Sequence, residues 1–419
     1  MRVAVDKSEV RGSVDIPASK SLTIRSLMCA ALAGGESSIV TPLLCDDTAA
    51  AVSVLSKVGV GIRQEEDVWK VNGRGFREPH EDLFCGASAT TLRFMTAVCS
   101  LVPGRSRLTA DPDMPLRPVS SLVQALDRLG VRCVTRQDGA PVVVEGGTLK
   151  GGLTELPGDI SSQYISALLL IAPFADDSVT IRLTSPLASG PYVDMTLSCM
   201  AHFGIKVDCP AADEFRVSRQ DYRPASYRVE GDWSSASYLL ALGAVAGGVT
   251  VTNMNPASLQ GDKVMLDLLR QMGVEVEVNG HAVTVGESRL KAIRADMSDC
   301  IDLLPTVGVL AAVAEGVSEL SGISRGRIKE SDRVAAVRDA LRRLGIDVAE
   351  EEDRLLITGS RPQGAVVESR NDHRIAMAFS VLGAACGGVV INEAECVAKT
   401  FPQFWDILKS IGGRVRINE

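Results

Sequence analysis

Aromatic side chains are scarce, at 4% of 419 residues. Any core must therefore be filled by Ala, Val, Leu and Gly, which suits closely packed helices against sheet. Ten cysteines are present, at 29, 45, 85, 99, 133, 199, 209, 300, 386 and 396, but no C-x-x-C pair is found. The four histidines (80, 202, 281 and 373) have no metal-ligand spacing, so no metal and no disulfide framework are expected. Buried free thiols in a reducing compartment are the simpler reading. Net positive charge is missing too. The formal charge is −8, which disfavours nucleic-acid binding by bulk electrostatics. Apolar runs such as Ala167–Ala175 and Thr306–Ala314 are too short to span a bilayer, and MRVAVDKSEV has no signal-peptide core. A cytoplasmic protein without a membrane partner is expected. There is no G-x-x-x-x-G-K-[ST], and the Gly-Gly pairs at 34, 247 and 387 follow helical runs, so neither phosphate loop nor dinucleotide fingerprint is present.

What the chain does have is a repeat. Six Ala/Leu-rich helical runs start at Ser19, Ala87, Ser161, Trp233, Ile301 and Asp372, spaced 68, 74, 72, 68 and 71 residues apart. Each opens on a polar step and runs through a Gly-containing turn into a β-branched strand. A second helix in the same frame ends in Gly before a Val/Ile strand, at Gly59, Gly130, Gly204, Gly273, Gly345 and Gly412, as expected of left-handed C′ residues. Five copies continue into a further strand. A stacked solenoid is the alternative, but the period is long and neither end shows a polar cap. Three units in each of two globular domains fit the length better.

Cations stand where helix dipoles disfavour them. Lys20 opens a helix after Ser19, Arg117 precedes Pro118, and Arg374 lies in a first turn. Lys399 precedes the helix expected around Pro402. Lys329 and Arg333 are read as sharing one face of a helix start. Any single one is an ordinary surface charge, costing about 0.3–1 kcal/mol. Their recurrence in separate repeats points instead to helix N-termini and cations gathered around anions carrying phosphate and carboxylate groups. Ser161-Ser162-Gln163 and Ser88-Ala89-Thr90 add neutral donors at two more helix starts.

With these features in place, the chain resembles the 5-enolpyruvylshikimate-3-phosphate synthase family along its whole length. The resemblance rests on Pro17-Ala-Ser-Lys20-Ser21-Leu-Thr-Ile-Arg25, Gly86-Ala-Ser-Ala89-Thr90-Thr-Leu-Arg93, Met114-Pro-Leu-Arg117-Pro118, and Asp159-Ile-Ser161-Ser162-Gln163. Ser189-Gly-Pro-Tyr192, Ile328-Lys329-Glu330-Ser-Asp-Arg333, Asn371-Asp-His-Arg374 and Ala398-Lys399-Thr-Phe-Pro402 complete it. The resemblance implies an α/β protein, a two-domain inside-out α/β barrel of six βαβαββ units, three per domain, with the helix starts facing an interdomain cleft. It implies one domain formed by residues 1–18 with 230–419, and a second, inserted domain at 19–229.

The same resemblance implies roles. Shikimate 3-phosphate would be bound by Lys20, Ser21, Arg25, Ser161, Ser162, Gln163, Ser189, Tyr192, Asp302 and Lys329. Phosphoenolpyruvate would meet Lys20, Ala89, Arg93, Arg117, Gln163, Arg333, Arg374 and Lys399. Asp302 would be the base for the acceptor hydroxyl and Glu330 the proton donor to carbon, with Lys20 and Lys399 assisting. His373 would orient an intermediate or simply be a helix-start histidine. No cofactor is implied, and a monomer is expected. Ala89 stands where sensitive relatives have Gly, so weakened inhibition by glyphosate is expected. Ala87 and Arg325-Gly326 also depart from the family pattern, and no role is carried onto them. One rival is the related transferase acting on UDP-N-acetylglucosamine, which pairs its early Lys with Asn and uses a loop Cys. Here Ser21 follows Lys20 and the loop Leu108–Leu116 lacks Cys. A non-catalytic phospho-ligand binder on this fold and an RNA-end-processing enzyme on a related one are the others. The retained Asp302 and Glu330 disfavour the former, the acidic charge the latter.

Overall fold

The computed structural model describes residues 1–112 and 117–418. The chain divides into two compact units, Met1–Pro17 with Glu230–Glu419, and Ala18–Val229. Ala18, which the sequence reading grouped with the termini, packs with the middle unit. Each unit has its own apolar core.

Six four-stranded sheets share one strand order. In one of them Leu83–Phe84 runs parallel to Gly104–Thr109, which pairs antiparallel with Val142–Gly146, itself antiparallel to Arg132–Thr135. Three sheets are completed from a distance, one of them by Val10–Asp15, which runs parallel to Gly247–Thr252. The sixth copy stops one strand short, and the N-terminal strand Arg2–Asp6 takes that place between Val389–Asn392 and Arg414–Asn418. Its Val3 and Val5 are fully buried in register with Ile391 and Val389. In the middle unit Ser226–Arg228 returns to lead the first copy's strand Glu36–Val40. Each unit therefore closes its set of three repeats on itself, which a stacked solenoid does not do.

The first helix of every copy is buried along nearly its whole length. These helices are Lys20–Leu32, Ala89–Val98, Ser162–Ile171, Trp233–Ala246, Leu304–Val313 and His373–Cys386. A helix apolar on all sides has to sit inside, and these stand at the middle of each unit with the sheets around them. The second helices, such as Asp46–Lys57 and Ser120–Arg128, bury one face only.

All six expected terminator glycines adopt positive φ, between 81° and 104°. Each donates its N–H to the carbonyl three residues back, as Gly59 does to Ser56 at 3.1 Å. The following residue then reaches back five, as Val60 does to Leu55 at 3.1 Å. This is the Schellman arrangement, and it satisfies carbonyls the helix end would otherwise orphan. A different glycine sets how closely helix and sheet approach. A Cβ at Gly383 would lie 2.9 Å from Val5 Cβ and 3.1 Å from Val389 Cβ, on two strands that cannot yield without losing register. Gly383→Val is expected to destabilise the protein by about 1–3 kcal/mol, read as a lowered urea midpoint. An unchanged midpoint would mean the N-terminal strand is dispensable to the core.

Candidate functional site

Polar side chains gather at the starts of the buried helices in each unit. None of those six helices has an acid in its first turn, so their free N–H groups keep their positive character.

In the middle unit Lys20 is the first residue of its helix, and its Nζ sits 2.8 Å from Asp47 Oδ2. Arg25, one turn on and only 1% exposed, donates to Thr196 Oγ1 (2.8 Å) and to the backbone carbonyls of Ser21 and Tyr192 (3.1 Å each). Its guanidinium also lies 5.7 Å from the centre of the Tyr192 ring. Burial lowers its pKa from the ordinary value, yet so strong a base stays charged. Arg25 thus ties Ser21 to the helix Gly190–His202, whose preceding residue, Ser189, is held in the left-handed region at φ 57°. Backbone of that kind costs about 1–3 kcal/mol at a non-glycine residue and concentrates at functional sites. Arg93 donates to Ser161 Oγ (3.3 Å), Gln163 Oε1 (2.9 Å) and, through two nitrogens, the Pro118 carbonyl (3.1 and 2.8 Å). Gln163 Nε2 in turn reaches Thr90 Oγ1 at 3.0 Å, beside Ala89, the buried first residue of its helix. Arg117 is buried next to that carbonyl, and Ser162 opens the helix that Ser161 caps. The Arg93 network thus joins the helix starts of two repeats.

The other unit builds its cluster on Arg333, which is 0% exposed. Its Nε donates to Asp372 Oδ2 (2.8 Å), Nη1 to Asp302 Oδ1 (2.5 Å) and Nη2 to Glu330 Oε2 (2.6 Å). Asp302 also receives Lys329 Nζ at 3.4 Å and Arg374 Nη2 at 3.4 Å. Burial opposes ionisation of Asp302. Arg374, Lys329 and Arg333 outweigh it and hold the carboxyl well below the usual range. The Arg333 guanidinium is pushed the other way: burial lowers its pKa, but the carboxylates of Asp372, Glu330 and Asp302 raise it by more. Arg374 Nη2 touches Ser234 Oγ (3.4 Å), and Nη1 lies 3.4 Å from Tyr238 Oη and 4.0 Å from Asp262 Oδ2. His373 is buried at the helix start, with Nδ1 3.7 Å from Asp372 Oδ1. Lys399 ends the 3₁₀ turn Ala394–Lys399 packed against the helix His373–Cys386.

The EPSP synthase model, described as 3-phosphoshikimate 1-carboxyvinyltransferase, matches residues 5–408. The chain belongs to this family. It is 47% identical over 418 residues to the 3-phosphoshikimate 1-carboxyvinyltransferase of Dehalococcoides mccartyi, covering 99% of both chains. It is 39% identical to that of Methanothermobacter thermautotrophicus, covering 100% of both. Among solved structures, an EPSP synthase from Acinetobacter baumannii superposes with a TM-score of 0.84 at 26% identity, each chain covered in full. The enolpyruvyl transferase NikO from Streptomyces tendae, at 17% identity and a TM-score of 0.81 over 99% of this chain and 98% of its own, shares the fold. The six βαβαββ repeats are thus the EPSP synthase fold.

Against that family background, three local expectations need correction. The helix after Arg117 begins at Ser120, because the Pro118 carbonyl is already taken by Arg93 and by Tyr164 Oη (2.5 Å). Lys329 is not helical. Its extended backbone (ψ −152°) keeps it off the helix Arg333–Arg343, and the two cations meet on Asp302 instead of lying along one face. Lys399 precedes no helix directly, since Thr400 leaves helical geometry and the next helix starts at Phe404, beyond Pro402. Residues 113–116, which include Met114, Pro115 and Leu116 of one motif and the end of the loop at 108–116, lie outside the described residues. Arg325, at a departure from the family pattern, donates to the Ser298 carbonyl, and Gly326 is walled in by Val334, Ile301 and Leu304. All ten cysteines carry free thiols.

Sequence reading missed the acids that hold the cations: Asp47, Asp262 and Asp372. Asp372 lay inside a quoted motif, and its side chain caps the helix by accepting from Arg374 N while also taking two Arg333 donors. Asp47 follows Asp46 at the start of a helix, where acids are routine. Nothing in spacing marks either as a partner of a lysine or arginine elsewhere in the chain.

Proposed function

We propose that this chain transfers the enolpyruvyl group of phosphoenolpyruvate to the 5-hydroxyl of shikimate 3-phosphate, releasing phosphate, as a step of aromatic amino-acid biosynthesis. Membership of the EPSP synthase family supports the reaction. The observation that carries it to particular residues is the partly buried Asp302 carboxylate gripped by Arg333, Lys329 and Arg374, with Glu330 on the same guanidinium.

In this reading the acceptor oxygen attacks C2 of phosphoenolpyruvate while its proton passes to Asp302. Glu330 supplies a proton to C3, giving a tetrahedral intermediate. Loss of a C3 proton and of phosphate from C2 then restores the C2–C3 double bond and gives the enol ether product, with Lys20 and Lys399 assisting proton transfer. Shikimate 3-phosphate is held by Lys20, Ser21, Arg25, Ser161, Ser162, Gln163, Ser189, Tyr192, Asp302 and Lys329. Phosphoenolpyruvate is held by Lys20, Ala89, Arg93, Arg117, Gln163, Arg333, Arg374 and Lys399. For Arg25, Arg93 and Arg333 the buried contacts support a positioning role beside any ligand contact, since each already holds several protein acceptors. The enzyme works as a monomer in the cytoplasm; no helix among the described residues is long and apolar enough to cross a membrane.

Phosphate release with phosphoenolpyruvate and shikimate 3-phosphate tests the reading. Turnover with UDP-N-acetylglucosamine instead would select the rival transferase, and binding of both substrates without turnover would make the chain a phospho-ligand binder. At Ala89, whose methyl occupies a buried helix start, Ala89→Gly is expected to tighten glyphosate inhibition about tenfold, the scale of one methyl group in a fitted pocket. Equal inhibition constants for variant and parent would remove that role.

A further inference from the structure

Asp262 is a buried carboxyl that this mechanism does not use. It stands in the 3₁₀ turn Gly261–Val264 and is 3% exposed. Its Oδ2 accepts from Ser234 Oγ and lies 4.0 Å from Arg374 Nη1. Its Oδ1 is buried with no hydrogen-bond partner among the described residues. An ionised oxygen left in that condition is expensive, whereas a protonated carboxyl tolerates it far better. Facing it are Ser234 and Asp232 at the start of the helix Trp233–Ala246, Tyr238 on the same helix, and Arg374 from the helix His373–Cys386. Asp302 and Cys300 approach from the adjoining turn. Asp262, Asp302, Glu330 and Asp372 thus share the cations Lys329, Arg333 and Arg374, with Asp262 reaching only Arg374, at 4.0 Å.

We propose that Asp262 is a positioning residue for Arg374: it competes with Asp302 and with the incoming anion for that one guanidinium, and a proton on Asp262 settles the competition in their favour. Ser234 Oγ is the bridge, accepting from Arg374 Nη2 at 3.4 Å and donating to Asp262 Oδ2. Once Asp262 ionises, Ser234 and Arg374 are both drawn toward it, away from Asp302 Oδ2. Burial, with Asp302 adding to it, raises the Asp262 carboxyl to about 7 against the opposing pull of Arg374, which puts the switch in the working pH range. An anion bound at Arg374 adds negative charge beside Asp262 and favours its protonated form, so binding and proton uptake are reciprocal. The inference rests on the reading above, in which Arg374 contacts phosphoenolpyruvate.

The experiment is the pH dependence of the KM for phosphoenolpyruvate from pH 6 to 8.5 in the full-length protein and in Asp262→Asn, which is permanently neutral and nearly isosteric. The parent is expected to lose affinity as pH rises through about 7, by roughly tenfold across the range, and the variant to stay much flatter. The ligand's own phosphate ionises near 6, and its effect is common to both proteins. A merely structural Asp262 would leave the two profiles parallel, and that outcome overturns the proposal. Calorimetry of phosphoenolpyruvate binding to the parent, in two buffers of different ionisation enthalpy, serves should Asp262→Asn fail to fold. Uptake of a fraction of a proton in excess of the ligand's own, largest near pH 7, is expected, and none would overturn it. Normal turnover without this linkage defeats the Asp262 proposal alone; absence of turnover defeats the reaction assigned above.

Discussion

Asp302→Asn is expected to lower kcat with phosphoenolpyruvate and shikimate 3-phosphate by about 10³-fold while changing the KM for either substrate much less. General-base groups contribute roughly 10²–10⁴-fold, and the amide keeps the size of the carboxyl while losing its capacity to take a proton. The charge environment shapes the result. In the free protein burial works against the anion, but Arg374, Lys329 and Arg333 hold Asp302 far too acidic to be an effective base. Anionic substrates engaging Lys329, Arg374 and Arg333 would offset all three of those cations, so basicity returns only when the substrates are present. Without the carboxylate the cations remain and still attract anions, which is why KM is preserved. Steady-state kinetics on both proteins, with thermal unfolding as a check on folding, decide the matter. A variant with unaltered kcat, or one whose loss lies entirely in KM, would remove Asp302 from the chemistry.

Much of the architecture could be read from the chain because it is written six times. The terminator glycines at 59, 130, 204, 273, 345 and 412 all adopt the positive φ their sequence context implied, since a left-handed residue closing a helix is a local requirement that Gly meets without a steric penalty. The buried helices were legible for a similar reason, as an Ala/Leu run with no polar face has only the interior to occupy. The strand Arg2–Asp6 was harder. Its alternation marks a strand, but nothing local says that it fills the place missing from a sheet nearly 390 residues away. Within the site, cations at helix starts were conspicuous because they oppose a dipole, and Lys20, Arg333 and Arg374 do stand in first turns. Their acidic partners break no local rule. Asp47, Asp262 and Asp372 become informative only once folding brings them against a lysine or arginine from another helix. Helix boundaries failed where tertiary contacts took over a backbone group, as the Pro118 carbonyl shows.

Arg333 is the residue whose loss should be felt most in stability. It is fully buried, and Nε, Nη1 and Nη2 each donate to a carboxylate on a different segment: Asp372, which caps the helix His373–Cys386, Asp302 before the helix Leu304–Val313, and Glu330 on the connection leading to its own helix. Arg333→Met keeps most of the volume but leaves those carboxylates near one another without their shared cation. Removing one partner of a buried ionic network costs about 3–5 kcal/mol, because the remaining charges stay buried and uncompensated. A planar guanidinium can serve three acceptors at once and a lysine ammonium at that depth cannot match the fork, so Arg333→Lys should recover only part of the loss. The pH dependence gives a second, independent reading. In the parent, burial disfavours the Asp302 anion but Arg374, Lys329 and Arg333 more than compensate, so its folded pKa is depressed below the unfolded value. A depressed carboxyl contributes stability that is present above about pH 4 and lost as pH falls toward the folded pKa. With Arg333 gone, one of the three cations responsible is gone, and that acid-side loss should shrink. Urea midpoints for parent and Arg333→Met at pH 7.5 and about pH 2.5 should therefore differ widely at the higher pH and draw together at the lower. Midpoints that coincide at pH 7.5, or a gap that does not narrow on acidification, would mean the three carboxylates are stabilised by something other than this arginine.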